Sequence, residues 1–196
     1  MDAAGQAKIR SAAGADDSAI AAIYAHHVLR GTATFEIDPP DVLEIARRRL
    51  EVERRDLPYL VAEVNGQILG YAYAGQYRPR AAYRFTVENS VYIHPENLRR
   101  GLGRILLRAL IGACERRGCR QMIAVIGDSA NTASIRLHES FEFRHIGVLR
   151  AVGFKFGRWL DTVLMQRSLG TGEATAPEEA QTEPQPQGSG PDRVQQ

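Results

Sequence analysis

Residues 88–103 hold an acid and a glycine turn whose types and spacing could do chemistry together. Glu88 lies in a strand-forming run that ends at Pro95, and a turn containing Gly101 and Gly103 leads into an amphipathic run from Leu102. Glycine lets the backbone approach a ligand closely, and a helix start offers unpaired N–H groups and the positive end of its dipole. The turn is therefore expected to bind an anion such as a pyrophosphate, a short distance from a carboxylate that could act as a base.

An acid beside a pyrophosphate cradle is the pairing that acyl transfer from coenzyme A to an amine needs. The substrate ammonium must lose a proton before its nitrogen can attack, and a carboxylate can accept that proton directly or through water. Glu88 shares a strand face with Ser90 and Tyr92 if the pleat alternates regularly. A glutamate on an edge strand, pointing to solvent, is the alternative interpretation, and the residues by themselves leave both open.

The glycine turn differs from two other phosphate-binding motifs. No Gly-Lys-Ser/Thr follows it, as a Walker loop requires, and Leu106 stands where a dinucleotide fingerprint has its third glycine. Arg99, Arg100 and Arg104 add positive charge that suits phosphate groups. The turn alone therefore does not identify its ligand.

The composition describes one globular domain with a basic body and an acidic tail. The chain has 196 residues, of which 44% are hydrophobic and 24% charged. Residues 170–196 carry a net charge of −4 and residues 1–169 carry +6. A basic body suits nucleic acid or a polyanionic cofactor. We favour the cofactor and expect no nucleic acid, because no basic run with interleaved aromatic residues occurs.

Metal centres, disulfide frameworks and membrane spans are not expected. Cys114 and Cys119 are too few for a four-ligand zinc site or a disulfide scaffold. No apolar stretch approaches the length of a membrane span, and the first residues lack a hydrophobic leader. We therefore expect a cytoplasmic protein without a metal and without membrane contact.

Hydrophobic periodicity predicts a sheet covered by helices. The clearest helix starts at Leu102, where apolar residues recur at offsets of 0, 3, 4, 7 and 8, and Asn65-Gly66 predicts a tight hairpin. The predicted strands are 8–12, 60–64, 67–74, 83–94, 121–127, 147–152 and 158–166, with helices starting near 17, 40, 102 and 131. The order β-α-α-β-β-β-α-β-α-β-β predicts a mixed, mostly antiparallel sheet in an α/β (α+β) domain over residues 1–169. The Pro/Gln/Glu-rich segment 170–196 is expected to be disordered.

The chain resembles the GNAT N-acetyltransferases, and within them the phosphinothricin acetyltransferase-like group, which includes methionine sulfoximine and methionine sulfone acetyltransferases. The resemblance covers residues 9–169. It rests on the motifs Thr34-Phe35-Glu36, Leu60-Val-Ala-Glu63, Tyr71-Ala-Tyr-Ala74, Thr86-Val-Glu-Asn-Ser-Val-Tyr92, Arg100-Gly-Leu-Gly103, Ser134-Ile-Arg-Leu-His-Glu139 and Gly153-Phe-Lys-Phe-Gly-Arg-Trp-Leu-Asp161. It implies the GNAT fold and an acetyl group transferred from acetyl-CoA to the α-amine of a small amino acid-like acceptor.

The resemblance also implies roles for individual residues. Glu88 falls at the general-base position of the family, and His138 stands seven residues after Asn131, where it would protonate the departing thiolate or polarise the thioester. The implied acetyl-CoA contacts are Val91, Tyr92, Ile93, Arg99, Arg100, Gly101, Leu102, Gly103, Arg104, Asn131 and Ser134. The implied acceptor contacts are Phe35, Glu36, Arg78, Arg80, Tyr83, Lys155 and Arg158. Leu98 departs from the Gln or Arg that generally begins the family turn, so we expect weaker cofactor binding at most.

Other functions remain open at this point. Peptide N-termini or polyamines could be the acceptors, although the arginines of the implied pocket favour an acid-bearing one. A nucleic acid-binding module, suggested by Arg47-Arg48-Arg49, or a non-catalytic acetyl-CoA sensor are alternatives of a different class. Similar proteins commonly form homodimers, and we expect the same here.

Overall fold

The computed structural model describes residues 3–177, which form one mixed seven-stranded sheet with helices on both faces. The strands are β1 Lys8–Ser11, β2 Tyr59–Val64, β3 Gln67–Gln76, β4 Thr86–Ile93, β5 Gln121–Gly127, β6 Arg144–Lys155 and β7 Arg158–Ser168. The α-helices are α1 Ala3–Gln6, α2 Asp17–Arg30, α3 Val42–Arg54, α4 Leu102–Arg116 and α5 Thr132–Glu139. The strand order is β1-β2-β3-β4-β5-β7-β6, and only β4 and β5 run parallel. The predicted fold class is therefore confirmed.

Several predicted strand boundaries were wrong. The strand expected from Tyr83 begins at Thr86, because the amides of Tyr83 and Arg84 bond back to the carbonyls of Arg80 and Ala81 in a 3₁₀ turn. The last two strands are longer than predicted. The pairing of β6 with β7 shifts register between His145 and Gly147 and between Leu149 and Gly153, and the strand continues through both shifts to Lys155. The short helix α1 was not predicted.

The sheet separates two hydrophobic cores because side chains alternate along each strand. On β3, Ala72 and Ala74 pack towards α4, while Tyr71 and the half-buried Tyr73 face α2 and α3. Helix α4 buries Leu102, Leu106 and Leu110 on the apolar stripe that the sequence predicted. Each fully buried leucine contributes about 2 kcal/mol of hydrophobic stabilisation. Helix α4 is thereby held against the sheet.

A buried ion pair fastens α3 to α2 on the opposite face. Arg49 donates from Nε and Nη2 to the two carboxylate oxygens of Asp17, at 2.7 and 3.1 Å. Both side chains are less than a tenth exposed. Arg49 also donates to Glu53 one turn along α3, so the guanidinium is fully engaged. Arg49 therefore lies buried between α2 and α3 and not on the outer face of α3.

The parallel pair β4–β5 is incomplete, and this positions the site. The ladder joins Thr86–Asn89 to Gln121–Ala124 and then stops. Both strands continue beyond it, β4 to Ile93 and β5 to Gly127, without pairing to each other. The two backbones therefore part towards the end of β4 that leads into the glycine turn.

The end of the described chain contacts the domain. Residues 170–177 belong to the segment expected to be disordered, but they form turns, and Arg120 donates to Thr175 Oγ1 and to the carbonyl of Ala176. The rest of that segment, 178–196, lies outside the described residues. Within residues 3–177, every helix falls short of the length and apolar character that a membrane span requires.

Candidate active site

A cleft of about 490 Å³ fills the gap where β4 and β5 part, and helices α4 and α5 form its sides. Most residues implied as acetyl-CoA contacts line it. They are Val91, Tyr92, Ile93, Arg99, Gly101, Leu102, Gly103, Arg104, Asn131 and Ser134. Arg100 does not line the cleft, and its guanidinium instead donates to Asn97 Oδ1 at 3.2 Å. A long, thin ligand could enter between the strands and pair with the free backbone edge of β4.

The glycine turn presents the start of α4 to this cleft. Gly101, at the N-cap position, has a φ of 79°, in the left-handed region that favours glycine, and it supplies no side-chain cap. The first N–H groups of the helix therefore remain available, and the helix dipole favours a negative charge there. Arg99 and Arg104 flank the turn with positive charge. This arrangement fits the pyrophosphate of coenzyme A through backbone contacts, so Leu98 removes only a side-chain contribution.

Glu88 lies on the opposite face of β4, near the end of the β4–β5 ladder and just before the two strands part. Its cross-strand neighbour on β3 is Gly75, around whose Cα there is open space, and its neighbour on β5 is Ile123. Among residues 3–177 no hydrogen-bond donor reaches its carboxylate, and burial raises its pKa, an effect that the charge of Arg78 opposes. A half-buried, unpaired carboxylate beside open space can accept a proton.

His138 faces the cleft from α5 with both ring nitrogens in hydrogen-bond contact. Nδ1 lies 2.8 Å from the carbonyl oxygen of Ser134, so it carries a proton and donates it. Nε2 lies 3.1 Å from Oδ1 of Asn89, while the Nδ2 donor of that same amide is buried and unpaired. Burial lowers the pKa of His138, which favours a neutral ring whose Nε2 can only accept.

Exchanging the two ends of the Asn89 amide resolves this conflict. Nδ2 then donates to Nε2 of His138, and the buried amide group no longer lacks a partner. Amide orientation is assigned from hydrogen bonding, and an unsatisfied buried donor costs about 1–3 kcal/mol. In this orientation a neutral His138 donates from Nδ1 to the carbonyl of Ser134 and accepts at Nε2 from Asn89. The role of His138 as a proton donor, which the resemblance implies, stays a prediction.

Comparison with known proteins identifies the family. Residues 20–143 match the acetyltransferase (GNAT) family. A phosphinothricin N-acetyltransferase of Alcaligenes faecalis is 59% identical over 163 residues, covering 83% of each chain. An L-methionine sulfoximine/L-methionine sulfone acetyltransferase of Salmonella typhimurium is 44% identical over 164 residues, covering 82% of this chain and 94% of that one. The chain belongs to the GNAT acetyltransferase family.

A solved relative supports the assignment of the cleft. The GNAT superfamily phosphinothricin acetyltransferase from Sinorhizobium meliloti, solved in complex with acetyl-CoA, superimposes with a TM-score of 0.86 at 47% identity. The match covers 89% of this chain and 94% of that one. This GNAT enzyme therefore uses acetyl-CoA, as the sequence indicated.

Residues implied as acceptor contacts divide into two groups. In the first, Lys155 and Arg158 both have partners within the protein, although Lys155 is buried and Arg158 is exposed. The Lys155 ammonium is buried and donates to the carbonyls of Gly31 and Thr34, at 3.0 and 2.9 Å. Arg158 forms an ion pair with Asp128 at 2.5 Å. Lys155 thus contacts the α2–α3 loop, and Arg158 contacts Asp128 ahead of α5. Their contact with the acceptor stays a prediction.

Phe35 and Glu36 shape the same α2–α3 loop. The Phe35 ring occupies space that a side chain at Gly153 would fill, since a Cβ there would lie 2.3 Å from the ring. Glu36 accepts hydrogen bonds from Tyr24 and from Arg48, at 2.9 and 2.6 Å. The loop is therefore fixed on one side of the site rather than left free to swing.

The second group lies in the exposed loop between β3 and β4. Arg78 stacks over the ring of Tyr77, which contacts Tyr83 edge-on, and Arg80 precedes the 3₁₀ turn. Arg78 is near enough to Glu88 to influence its pKa. Of the arginines expected at the acceptor site, Arg78 is thus the one that the structure places near Glu88, and Arg80 is exposed in the same loop.

Sequence reasoning missed Asn89 and His27. Asn89 follows Glu88 and points to the opposite face, so strand alternation directs it towards α4 and α5, where His138 lies. His27 Nε2 donates to the carbonyl of Ile93 at 2.9 Å and so occupies part of the free end of β4. The first could have been found from the two-residue period of the strand. Nothing in the sequence pointed to the second.

The state of His138 can be tested by ¹⁵N NMR of the imidazole. We expect a neutral ring at neutral pH with its proton on Nδ1, and a pKa below the usual 6.5, because burial disfavours the charged form. In the variant Asn89→Asp, a carboxylate would face Nε2 and raise that pKa. An imidazolium in the unsubstituted enzyme at neutral pH would contradict the assignment.

Proposed function

We propose that this enzyme transfers the acetyl group of acetyl-CoA to the α-amine of a small amino acid-like acceptor of the phosphinothricin, methionine sulfoximine or methionine sulfone type. The observation that carries the proposal is Glu88, an unpaired carboxylate of raised pKa on the strand that borders the acetyl-CoA cleft. Relatives named for these acceptors support it.

The proposed mechanism follows from the two faces of β4. The acceptor approaches from the face of Glu88, and its ammonium gives a proton to that carboxylate. The free amine then attacks the thioester carbonyl that reaches through the gap between β4 and β5. A C–N bond forms and the C–S bond breaks. The surplus proton on the attacking nitrogen passes to the thiolate of CoA, which leaves as the thiol. Glu88 finally releases its proton to solvent, which restores the carboxylate.

Backbone groups along the parted strands would stabilise the negative charge on the reacting oxygen. Beyond Asn89, the edge of β4 that faces β5 has no strand partner. Preorganised N–H groups aimed at a developing oxyanion are worth about 3–4 kcal/mol of barrier. In this proposal His138 transfers no proton. Its hydrogen bonds with Ser134 and Asn89 would instead hold helix α5 in place beside this edge of β4.

The arginines beside Glu88 would bind the α-carboxylate of the acceptor. Guanidinium groups pair well with carboxylates; Arg78 is close enough to Glu88 to affect its pKa, and Arg80 is exposed in the same loop. The same charge disfavours cationic acceptors such as polyamines. The nucleic acid-binding alternative loses its basis, because Arg47 pairs with Glu44, Arg48 with Glu36 and Glu44, and Arg49 with Asp17.

Thiol release from acetyl-CoA measures the proposed reaction. We expect turnover with methionine sulfone, methionine sulfoximine or phosphinothricin, and much less with spermidine or a peptide N-terminus, because only the former group offers a free carboxylate to Arg78 and Arg80. Turnover with spermidine and none with the amino acid analogues would overturn the proposal.

Replacing the base should lower turnover while leaving cofactor binding intact. Glu88→Gln should reduce kcat about 10²–10³-fold with little change in acetyl-CoA affinity, since the amide cannot accept the proton. Because burial raises the pKa of Glu88, kcat/KM of the unsubstituted enzyme should fall on acidification with an apparent pKa above the usual 4.5. The exposed Glu142 provides the control, and Glu142→Gln should keep both the rate and the acidic limb. Unchanged turnover in Glu88→Gln would remove Glu88 as the base.

We further propose that the enzyme is a cytoplasmic homodimer that uses the β6 edge. β6 is the last strand of the sheet, and it exposes Val152 and Phe154 by 53% and 58%, next to Trp159 at 65%. An exposed apolar edge strand is normally covered by another chain. The cytoplasm suits Cys114 and Cys119, which are free thiols.

Light scattering after size exclusion tests the dimer. We expect a dimer for the unsubstituted chain and a monomer for Phe154→Glu, because a buried unpaired carboxylate would oppose association. Leu43 on α3 is 79% exposed and away from this edge, so Leu43→Glu should remain dimeric. A monomeric unsubstituted chain would contradict the proposal.

A further inference from the structure

The turn between α4 and β5 brings two cysteines together. Cys114 lies in the last turn of α4, and Cys119 lies two residues before β5. The amide of Cys119 donates to the carbonyl of Cys114 at 3.1 Å, and the amide of Gly118 donates to the carbonyl of Glu115 at 3.0 Å. Gly118 has a φ of 76°, in the left-handed region. Two such bonds around a left-handed glycine form a Schellman motif at the end of the helix.

A Schellman motif brings the side chains at its two ends into contact, and these side chains are usually apolar. Here they are the side chains of Cys114 and Cys119, and a hydrogen bond joins the two thiols. Both cysteines are free and buried, with 0% and 6% of their surface exposed. The turn therefore holds one sulfur atom against the other before any reaction begins.

The geometry of this pair suits an intramolecular disulfide. A disulfide needs Cα atoms about 4.4–6.8 Å apart and side chains that point towards each other. The backbone hydrogen bond from Cys119 to Cys114 keeps the two Cα atoms close, and the contact between the thiols shows that the side chains converge. The S–S bond can therefore form without a rearrangement of α4 or β5.

The two thiols are not equivalent. Cys114 is fully buried in the core beneath α4, whereas Cys119 is slightly exposed at the turn. The hydrogen bond from Cys114 and the charge of Arg117 lower the pKa of Cys119, although burial opposes them. The same hydrogen bond, together with burial, raises the pKa of Cys114. Arg117 is kept at the turn because its guanidinium donates to the carbonyl of Ala113 at 3.2 Å. Cys119 is thus the thiol that ionises first and that a reagent meets first.

We propose that Cys114 and Cys119 form a modification site at which a hydroperoxide such as hydrogen peroxide produces an intramolecular disulfide. The Cys119 thiolate attacks one oxygen of the peroxide, so that an S–O bond forms and the O–O bond breaks. The hydroxide released takes up the proton that Cys119 lost and becomes water. The Cys114 sulfur then attacks the Cys119 sulfur, the S–S bond forms, and the hydroxyl leaves as water with the proton of Cys114. Two thiols are oxidised, and one peroxide is reduced to two waters.

The disulfide would fasten α4 to β5 at a distance from the acetyl-CoA cleft. Helix α4 has 15 residues, so its last turn lies about 20 Å from the glycine turn at its start. Neither cysteine lines the cleft. The oxidised enzyme should therefore bind acetyl-CoA as well as the reduced enzyme does. A reducing cytoplasm would return the site to two thiols, so the bond would form only under oxidative stress. The inference does not depend on which acceptor the enzyme uses.

Peptide mapping of the full-length enzyme after treatment with hydrogen peroxide tests the inference. Trypsin cleaves after Arg116 and Arg117, and so it places the two cysteines on separate peptides, 109–116 and 118–120. After alkylation of the remaining thiols, we expect these two peptides to be joined by a disulfide that dithiothreitol removes. The oxidised chain should run as a monomer on a non-reducing gel. Its Tm should rise by about 5 °C, because the cross-link restricts the unfolded chain.

Two variants test the order of the reaction. In Cys114→Ala the attacking thiol has no partner, and we expect dimedone to label the sulfenic acid that accumulates on Cys119. In Cys119→Ala we expect at least tenfold less label on Cys114, because that thiol is buried and its pKa is raised. Affinity for acetyl-CoA, measured by calorimetry, should be the same in the reduced, oxidised and substituted enzymes.

The outcomes that would overturn the inference are distinct. Loss of both thiols to sulfinic acid without a linked peptide pair would show that the sulfur atoms do not meet. A disulfide found only between two chains would show that the pair does not react within one turn. Equal labelling of the two variants would remove Cys119 as the attacking thiol.

Discussion

The parting of β4 and β5 after Asn89 and Ala124 is the constraint on which the rest of the site depends. A parallel pair whose ladder continued to Ile93 would close the sheet and bring β5 against the backbone edge that the cleft now leaves free. Because the ladder stops, a ligand can lie between the strands and reach from one face of the sheet to the other. The uncapped start of α4 lies where such a ligand would bring its phosphates.

Alternation along β4 assigns a different task to each face. Glu88 points to the face of α2 and α3 with the stacked tyrosines, and Asn89 points to the face of α4 and α5 with His138. In the proposed mechanism, these two adjacent residues serve the acceptor side and the cofactor side. A slip of one residue in the register of this strand would exchange them and abolish both arrangements.

The loop between α2 and α3 is held by polar contacts as well as by apolar packing. Lys155 donates to two of its carbonyls, and Tyr24 and Arg48 both donate to Glu36. Lys155 is buried, and a buried charge is stable only when it is paired or hydrogen-bonded. The loop and β6 are far apart in the chain, which is why the function of Lys155 could not be read from its neighbours.

The sequence by itself determined the order of the elements, the anion-binding turn at Gly101 and the acid at Glu88, because periodicity, turn chemistry and motif spacing are local properties. It also indicated the family, which the comparisons confirm. Only the tertiary structure decided which charged side chains remain free. Lys155 is buried on the carbonyls of the α2–α3 loop and Arg158 is paired with Asp128, while Arg78 remains exposed near Glu88. Burial, pairing and pKa depend on residues brought together from distant positions in the chain.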